Sequence, residues 1–228
     1  MDPLPLISLG LVDGLNICSL GLLGLFLSLM YTTQTERKTI LGYGAVYIGS
    51  VFLSYLAVGL GVTLLFVALP MIPHLIARIA AVGMLAIGAA NIINYYRPDS
   101  IPLKMQSVSH AISSRAVHFF KVGGVPAIFA AGVLIGLHNF PCACTGGVYV
   151  TFLSLIASSP LKIPYLLAYN LVFIIPLTAI LVVFSSKQAI IKFRKMHAEN
   201  AAKTALLLGI IMTVVGATLT AAIRLGLP

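Results

Sequence analysis

Charge is scarce in this chain. Of its 228 residues, 8% are Asp, Glu, Lys or Arg, and only five are acidic. A water-soluble domain carries about 25% charged residues. That shortage, with 60% hydrophobic residues and a mean hydropathy of +1.07, excludes a soluble globular fold and indicates a polytopic membrane protein. Cysteine is also scarce. Three are too few for a disulfide scaffold, and an odd number leaves at least one free thiol. The opening stretch, MDPLPLISLGLVDG, lacks the basic region of a secretory signal and carries Asp13 in its apolar part. It reads as a first spanning helix and not as a cleaved leader. The net charge of +9 would suit nucleic acid if it gathered on one face. It gathers in particular loops instead, so the expected partner is the lipid bilayer, with no nucleic acid.

About 20 apolar residues span the hydrocarbon of a bilayer. Six segments meet that length: Leu6 to Met30, Ile40 to Leu69, His74 to Tyr96, Val125 to Ala157, Leu161 to Phe184 and Ala202 to Leu225. The fourth is too long. Its 33 residues make about 50 Å of straight helix, against a core of about 30 Å. A break near Pro141 and Gly146-Gly147 would resolve the excess, because proline removes a backbone bond and glycine tolerates a bend. Eleven Lys and Arg follow the odd-numbered segments, and three (Arg78, Lys162, Arg224) lie on the other side. This asymmetry places the odd-numbered loops in the cytoplasm and both termini outside the cell membrane.

The stretch 136–156, GLHNFPCACTGGVYVTFLSLI, concentrates residues that are costly at membrane depth: His138, Asn139, Pro141, Cys142, Cys144, Gly146 and Gly147. A fainter copy, DGLNICSLGLLGLFLSLM, covers residues 13–30. An offset of 126 matches Cys18 to Cys144, Gly21 to Gly147 and 26–29 to 152–155. Segments three and six match at an offset of 128, Met84 to Met212 and Gly88-Ala89 to Gly216-Ala217. Segments two and five offer no convincing match. The fold expected is an all-α membrane protein: six transmembrane helices as two inverted three-helix repeats, with helix 4 broken. It forms one transmembrane domain over 1–228, with repeat 1 at about 4–96, a cytoplasmic loop at about 97–123 and repeat 2 at about 124–228. Inverted repeats with broken helices and a midplane site are a transporter architecture.

A lone cysteine in a membrane helix is usually a small packing residue with an inert thiol. Cys18 and Cys144 differ because they match between the repeats. They also have neighbours without an evident packing role, Asp13 and Asn16 near one and His138 and Asn139 near the other. A half-helix N-terminus favours a nearby anion and lowers a thiol pKa. Two such thiols at the midplane would make one disulfide that takes up and releases two electrons without a cofactor or a metal. A soft-metal permease is the other chemistry these residues suit. There Cys142, Cys144, His138, Met84 and Met212 would hold a copper-like ion through thiolate, imidazole and thioether ligands.

At these residues the chain resembles the CcdA family, six-helix relatives of the membrane domain of the DsbD thiol reductases. The resemblance runs over the whole chain. It is carried by Asn16-Ile17-Cys18, by 141–147 (PCACTGG) and by 169–177 (YNLVFIIPL). It implies electron transfer from cytoplasmic thioredoxin to extracytoplasmic thioredoxin-like proteins, often serving cytochrome c maturation, and so a carrier of electrons more than a conventional enzyme. Ile17 stands where many relatives have proline before the helix 1 cysteine. The family uses one helix 4 cysteine, and here there are two. Cys142 has the preceding Pro141. Cys144 has the following Gly146-Gly147 and the repeat register, and is the partner expected for Cys18.

Overall fold

The structure is a computed structural model that describes residues 3–15, 17–33, 36–68, 72–97, 118–119, 124–139, 143–157 and 159–224. Its principal elements are eight helices, with no strand among the described residues: α1 (Pro3–Gly14), α2 (Ile17–Thr33), α3 (Arg37–Ala68), α4 (Ile72–Tyr96), α5 (Val125–Asn139), α6 (Ala143–Ile156), α7 (Lys162–Val183) and α8 (Lys187–Arg224). In two of them, Arg37–Phe66 and Lys162–Val183 are long and apolar enough to cross a membrane. Leu64, Ile79, Val183 and Val214 are among the large apolar side chains exposed on α3, α4, α7 and α8. An outer surface of this kind suits hydrocarbon better than water. Inside the helices, hydroxyl and amide groups bond back to their own backbone. Ser54 Oγ donates to the Ser50 carbonyl at 2.8 Å, Thr63 Oγ1 to Gly59 at 2.6 Å and Asn170 Nδ2 to Leu166 at 2.8 Å. Polar side chains are thereby satisfied where no water is at hand.

Three differences from the sequence reading concern where helices stop. The segment expected as one helix from Leu6 to Met30 is two: α1 ends at Gly14, Leu15 donates its N–H to the Leu11 carbonyl at 2.9 Å, and α2 starts at Ile17. The long fourth segment is two helices, as expected, but α6 already begins at Ala143. Gly146 and Gly147 therefore lie inside its first turns and are not the break. At Gly147 a methyl group would come 2.9 Å from Met84 Cγ, so close packing against α4 explains this glycine. Finally, α8 begins at Lys187, extending about 15 residues before the expected start at Ala202. Its 38 residues make about 57 Å of helix. At the start of α5, Gly124 has φ of +83°, a conformation that side-chain-bearing residues rarely adopt.

The helices pair in a pattern that survives an exchange of halves. Write α1 for α5, α2 for α6, α3 for α7 and α4 for α8. Then the α3–α5 packing becomes α7–α1, α4–α6 becomes α8–α2, and α2–α3 becomes α6–α7; α4–α8 and α3–α7 map onto themselves. All of these packings occur. At α4–α8 the correspondence reaches single residues. A methyl at Gly88 would lie 2.8 Å from the Gly209 carbonyl oxygen and 2.8 Å from the Thr213 nitrogen. One at Gly216 would lie 3.0 Å from the Ala81 carbonyl oxygen and 3.1 Å from the Leu85 nitrogen. Adding 128 to Ala81, Leu85 and Gly88 gives Gly209, Thr213 and Gly216. The contact is reciprocal, as at the two-fold axis of a homodimer.

Candidate functional site

Asn16, Pro141 and Cys142 lie outside the described residues. For Cys18 and Cys144 the backbone alone is described. Each is the second residue of its helix, Cys18 in α2 and Cys144 in α6. Each of these helices follows another, α1 or α5, after a two- or three-residue interval. Both cysteines thus occupy the turn where backbone N–H groups lack helical acceptors and the dipole is positive. Ile17 in place of proline does not prevent α1 and α2 from separating.

Asp13 is the described site residue with the most informative surroundings. It is the next-to-last residue of α1 and its side chain has no exposure to solvent. Tyr169 of α7 donates its hydroxyl hydrogen to Asp13 Oδ2 at 2.9 Å. Asp13 Oδ1 has no hydrogen-bond partner among the described residues. The bond forms because α1 lies directly on α7. A methyl at Gly10 would be 2.9 Å from Val172 Cγ1, and one at Gly14 would be 2.8 Å from Pro176 Cγ. Glycines one turn apart let the two backbones approach, as they do in membrane helix pairs.

Tyr169 belongs to an aromatic cluster. Its ring stacks on Phe152 with centroids 4.2 Å apart and meets Tyr149 at 5.3 Å. Tyr55 stacks on Phe173 at 4.5 Å and meets Tyr149 at 5.1 Å. Tyr149 donates its hydroxyl to the Tyr55 carbonyl at 2.8 Å, and Asn170 Nδ2 reaches the Tyr149 hydroxyl at 3.4 Å. The cluster joins α3, α6 and α7 behind α1 and fixes where Asp13 rests. The sequence reading did not single out Tyr149, Tyr169 or Asn170 as site residues. The available signal was an asparagine followed and preceded by apolar helix, together with a tyrosine at each end of one helical turn, Tyr165 and Tyr169.

Met84, a candidate thioether ligand, is buried in α4 against Gly147, and Thr151 Oγ1 lies 4.0 Å from its sulfur. Among the described residues no group of His, Cys, Asp and Glu is arranged to hold a metal ion. No family model matches the chain, and neither does any curated protein or solved structure.

Proposed function

We propose that this protein is a transmembrane thiol–disulfide electron transporter. Cys18 and Cys144 are its working thiols, and its chain forms six spans in two inverted repeats with both termini outside. The observation that carries the reading is positional. Two of three cysteines stand at the second residue of α2 and of α6, helices that correspond when the halves are exchanged. Six spans follow when α1 with α2, and α5 with α6, each count as one broken span. The Lys and Arg distribution supports the orientation. The likeness of PCACTGG and the Asn16-Ile17-Cys18 stretch to the CcdA family supports the partners: thioredoxin in the cytoplasm, a thioredoxin-like protein outside, and cytochrome c maturation as the process served.

The chemistry is an exchange of bonds. A thiolate of the cytoplasmic partner attacks the Cys18–Cys144 disulfide, forming a mixed disulfide and freeing one cysteine. The partner's second thiolate displaces the other, leaving the membrane protein as dithiol and the partner as disulfide. The dithiol then reduces a disulfide on the far side by the same two steps reversed. A folded thioredoxin cannot reach about 15 Å into the hydrocarbon, so helices bearing the thiols must open to each face in turn.

The test is transfer across a sealed vesicle. Reduced thioredoxin on the cytoplasmic side should reduce a disulfide-bearing reporter enclosed on the other, and Cys144→Ser should abolish this. Transfer that persists in the Cys18→Ser, Cys144→Ser double variant would overturn the reading. The placement of Met84 against the turn after Cys144 favours the permease as the second reading. That alternative predicts free thiols and stoichiometric Cu(I) binding where the transporter predicts a reducible disulfide.

A further inference from the structure

We infer that Asp13 and Tyr169 form a proton-binding site at the end of α1, which passes a proton to and from the thiols during exchange. The binding site stands on geometry alone, while the use made of its proton rests on the redox reading above. Asp13 is fully buried and lies at the C-terminal, negative end of a helix. Its Oδ2 accepts the Tyr169 hydroxyl at 2.9 Å, and its Oδ1 has no partner among the described residues. Backbone carbonyls of α7 lie against the glycines that flank Asp13 in α1. Pro176 brings no N–H to the Val172 carbonyl one turn earlier in α7. A methyl at Gly10 would lie 3.3 Å from the Tyr169 carbonyl oxygen, and Gly14 lies against the Phe173 carbonyl.

Among the described residues, the titratable groups that interact with Asp13 are Tyr169 from α7 and Tyr149 from α6. No Lys, Arg or His is paired with it among the described residues. An unpaired charge here would be costly. A proton on Oδ1 removes the charge and turns an orphan acceptor into a donor.

The exchange reaction has a use for such a site. Overall, a partner dithiol loses two electrons and two protons, and the Cys18–Cys144 disulfide gains both. Between the two steps a cysteine leaves as thiolate, which is unfavourable in an apolar interior. Cys18 follows Asp13 by five residues. As Cys18 leaves, it takes the Asp13 proton, and the carboxylate is held by Tyr169. The partner's second thiol gives its proton to Asp13 as it attacks the mixed disulfide, and Cys144, leaving in turn, takes up from solvent a proton equal to the one the partner's first thiol released there when it ionised.

Infrared spectroscopy of the intact protein in vesicles at neutral pH reads the site directly. The chain has five acidic residues, Asp2, Asp13, Glu36, Asp99 and Glu199, so a protonated-carboxyl band is readily assigned. The band should vanish in Asp13→Asn and shift in Tyr169→Phe while the helical amide band stays. A missing band in the unmodified protein, or one that survives in folded Asp13→Asn, would overturn the site. Single-turnover exchange with reduced thioredoxin tests the coupling. Asp13→Asn should slow it on the order of 100-fold, with partial recovery in Asp13→Glu. An unchanged rate beside a lost band would overturn the proton transfer. Absence of any exchange in the unmodified protein would instead be a failure of the redox reading, and the infrared result would stand apart from it.

Discussion

The seam between α1 and α7 and the seam between α5 and α3 are built to one plan with different chemistry. In the first, Gly10 and Gly14 lie on the carbonyls of Tyr169 and Phe173. In the second, Gly132 and Gly136 lie on those of Tyr47 and Val51. An offset of 122 carries each member of one seam onto the other. The same offset carries Asp13 onto Ile135, which is buried at 1% exposure. It also carries Tyr47, stacked on Phe26 at 5.1 Å, onto Tyr169, stacked on Phe152 at 4.2 Å. Where one half has an ionisable group bonded across the seam, the other has a hydrocarbon side chain. Its seam hydroxyls, Ser50 and Ser54, bond within α3 itself. These two seams share their close-packed glycines, and the bond from Tyr169 to Asp13 belongs to one half alone.

The correspondence of the halves can be broken most severely at the cysteines. If position in the half-helix decides, Cys144→Ser abolishes electron transfer across vesicles and Cys142→Ser retains most of it. The reverse ranking would mean that the preceding Pro141 matters more than the register shared with Cys18.

Glycine size tests the seams themselves. Gly14→Leu and Gly136→Leu both push side chains into neighbouring backbone or Ser54 and should each cost about 1–3 kcal/mol or more, read as a lowered unfolding temperature. Gly42, on α3, has nothing within 4 Å of where a Cβ would stand. Gly42→Leu should leave the temperature nearly unchanged. Equal losses at all three positions would show that the seams are not close-packed.

A smaller effect isolates the asymmetry. Asp13→Ile copies the other half but leaves the Tyr169 hydroxyl unpaired, at a cost of about 1–3 kcal/mol. Adding Tyr169→Phe should recover that loss, giving a coupling of about 0.5–3 kcal/mol in a double-mutant cycle of unfolding measurements. Additive effects would deny the bond its role in the seam.

The smallest expected change is at the rim. Arg37 opens α3 and donates from Nε to Ser185 Oγ at 2.8 Å and from Nη2 to the Val182 carbonyl at 3.3 Å, tying α3 to the end of α7. Arg37→Ala should lower stability by about 0.5–1.5 kcal/mol, measured by the same unfolding assay.

Much of this arrangement was readable from the chain, and the exceptions have physical causes. The boundaries of α3, α4 and α7 follow hydropathy within a few residues. The division of the fourth segment was expected from its length together with Pro141; length alone does not decide it, because α3 runs 32 residues and α8 runs 38 without a break. The same arithmetic gave no warning for the first segment, because 25 residues suit one tilted span and Ile17 replaces the expected proline. The likeness of α3 and α7 rests on Tyr43 and Tyr47 against Tyr165 and Tyr169. Two residues in an apolar background carry too little information until packing shows that each second tyrosine stacks on a corresponding phenylalanine. The early start of α8 was hidden because Lys187, Lys192, Arg194 and Lys195 interrupt the apolar residues there, and hydropathy detects burial better than it detects helix. Asp13 and the cysteines stood out as expensive residues, whereas Tyr169 did not, because its role depends on a partner 156 residues away.

The central claim is that Cys18 and Cys144 exchange disulfides with a thioredoxin, and a trapped intermediate tests it most directly. A thioredoxin lacking its resolving cysteine, incubated with the oxidised protein in vesicles, should form a mixed disulfide that mass mapping places at Cys18 or Cys144. No adduct under conditions where the thiols are accessible, or an adduct confined to Cys142, would contradict the account.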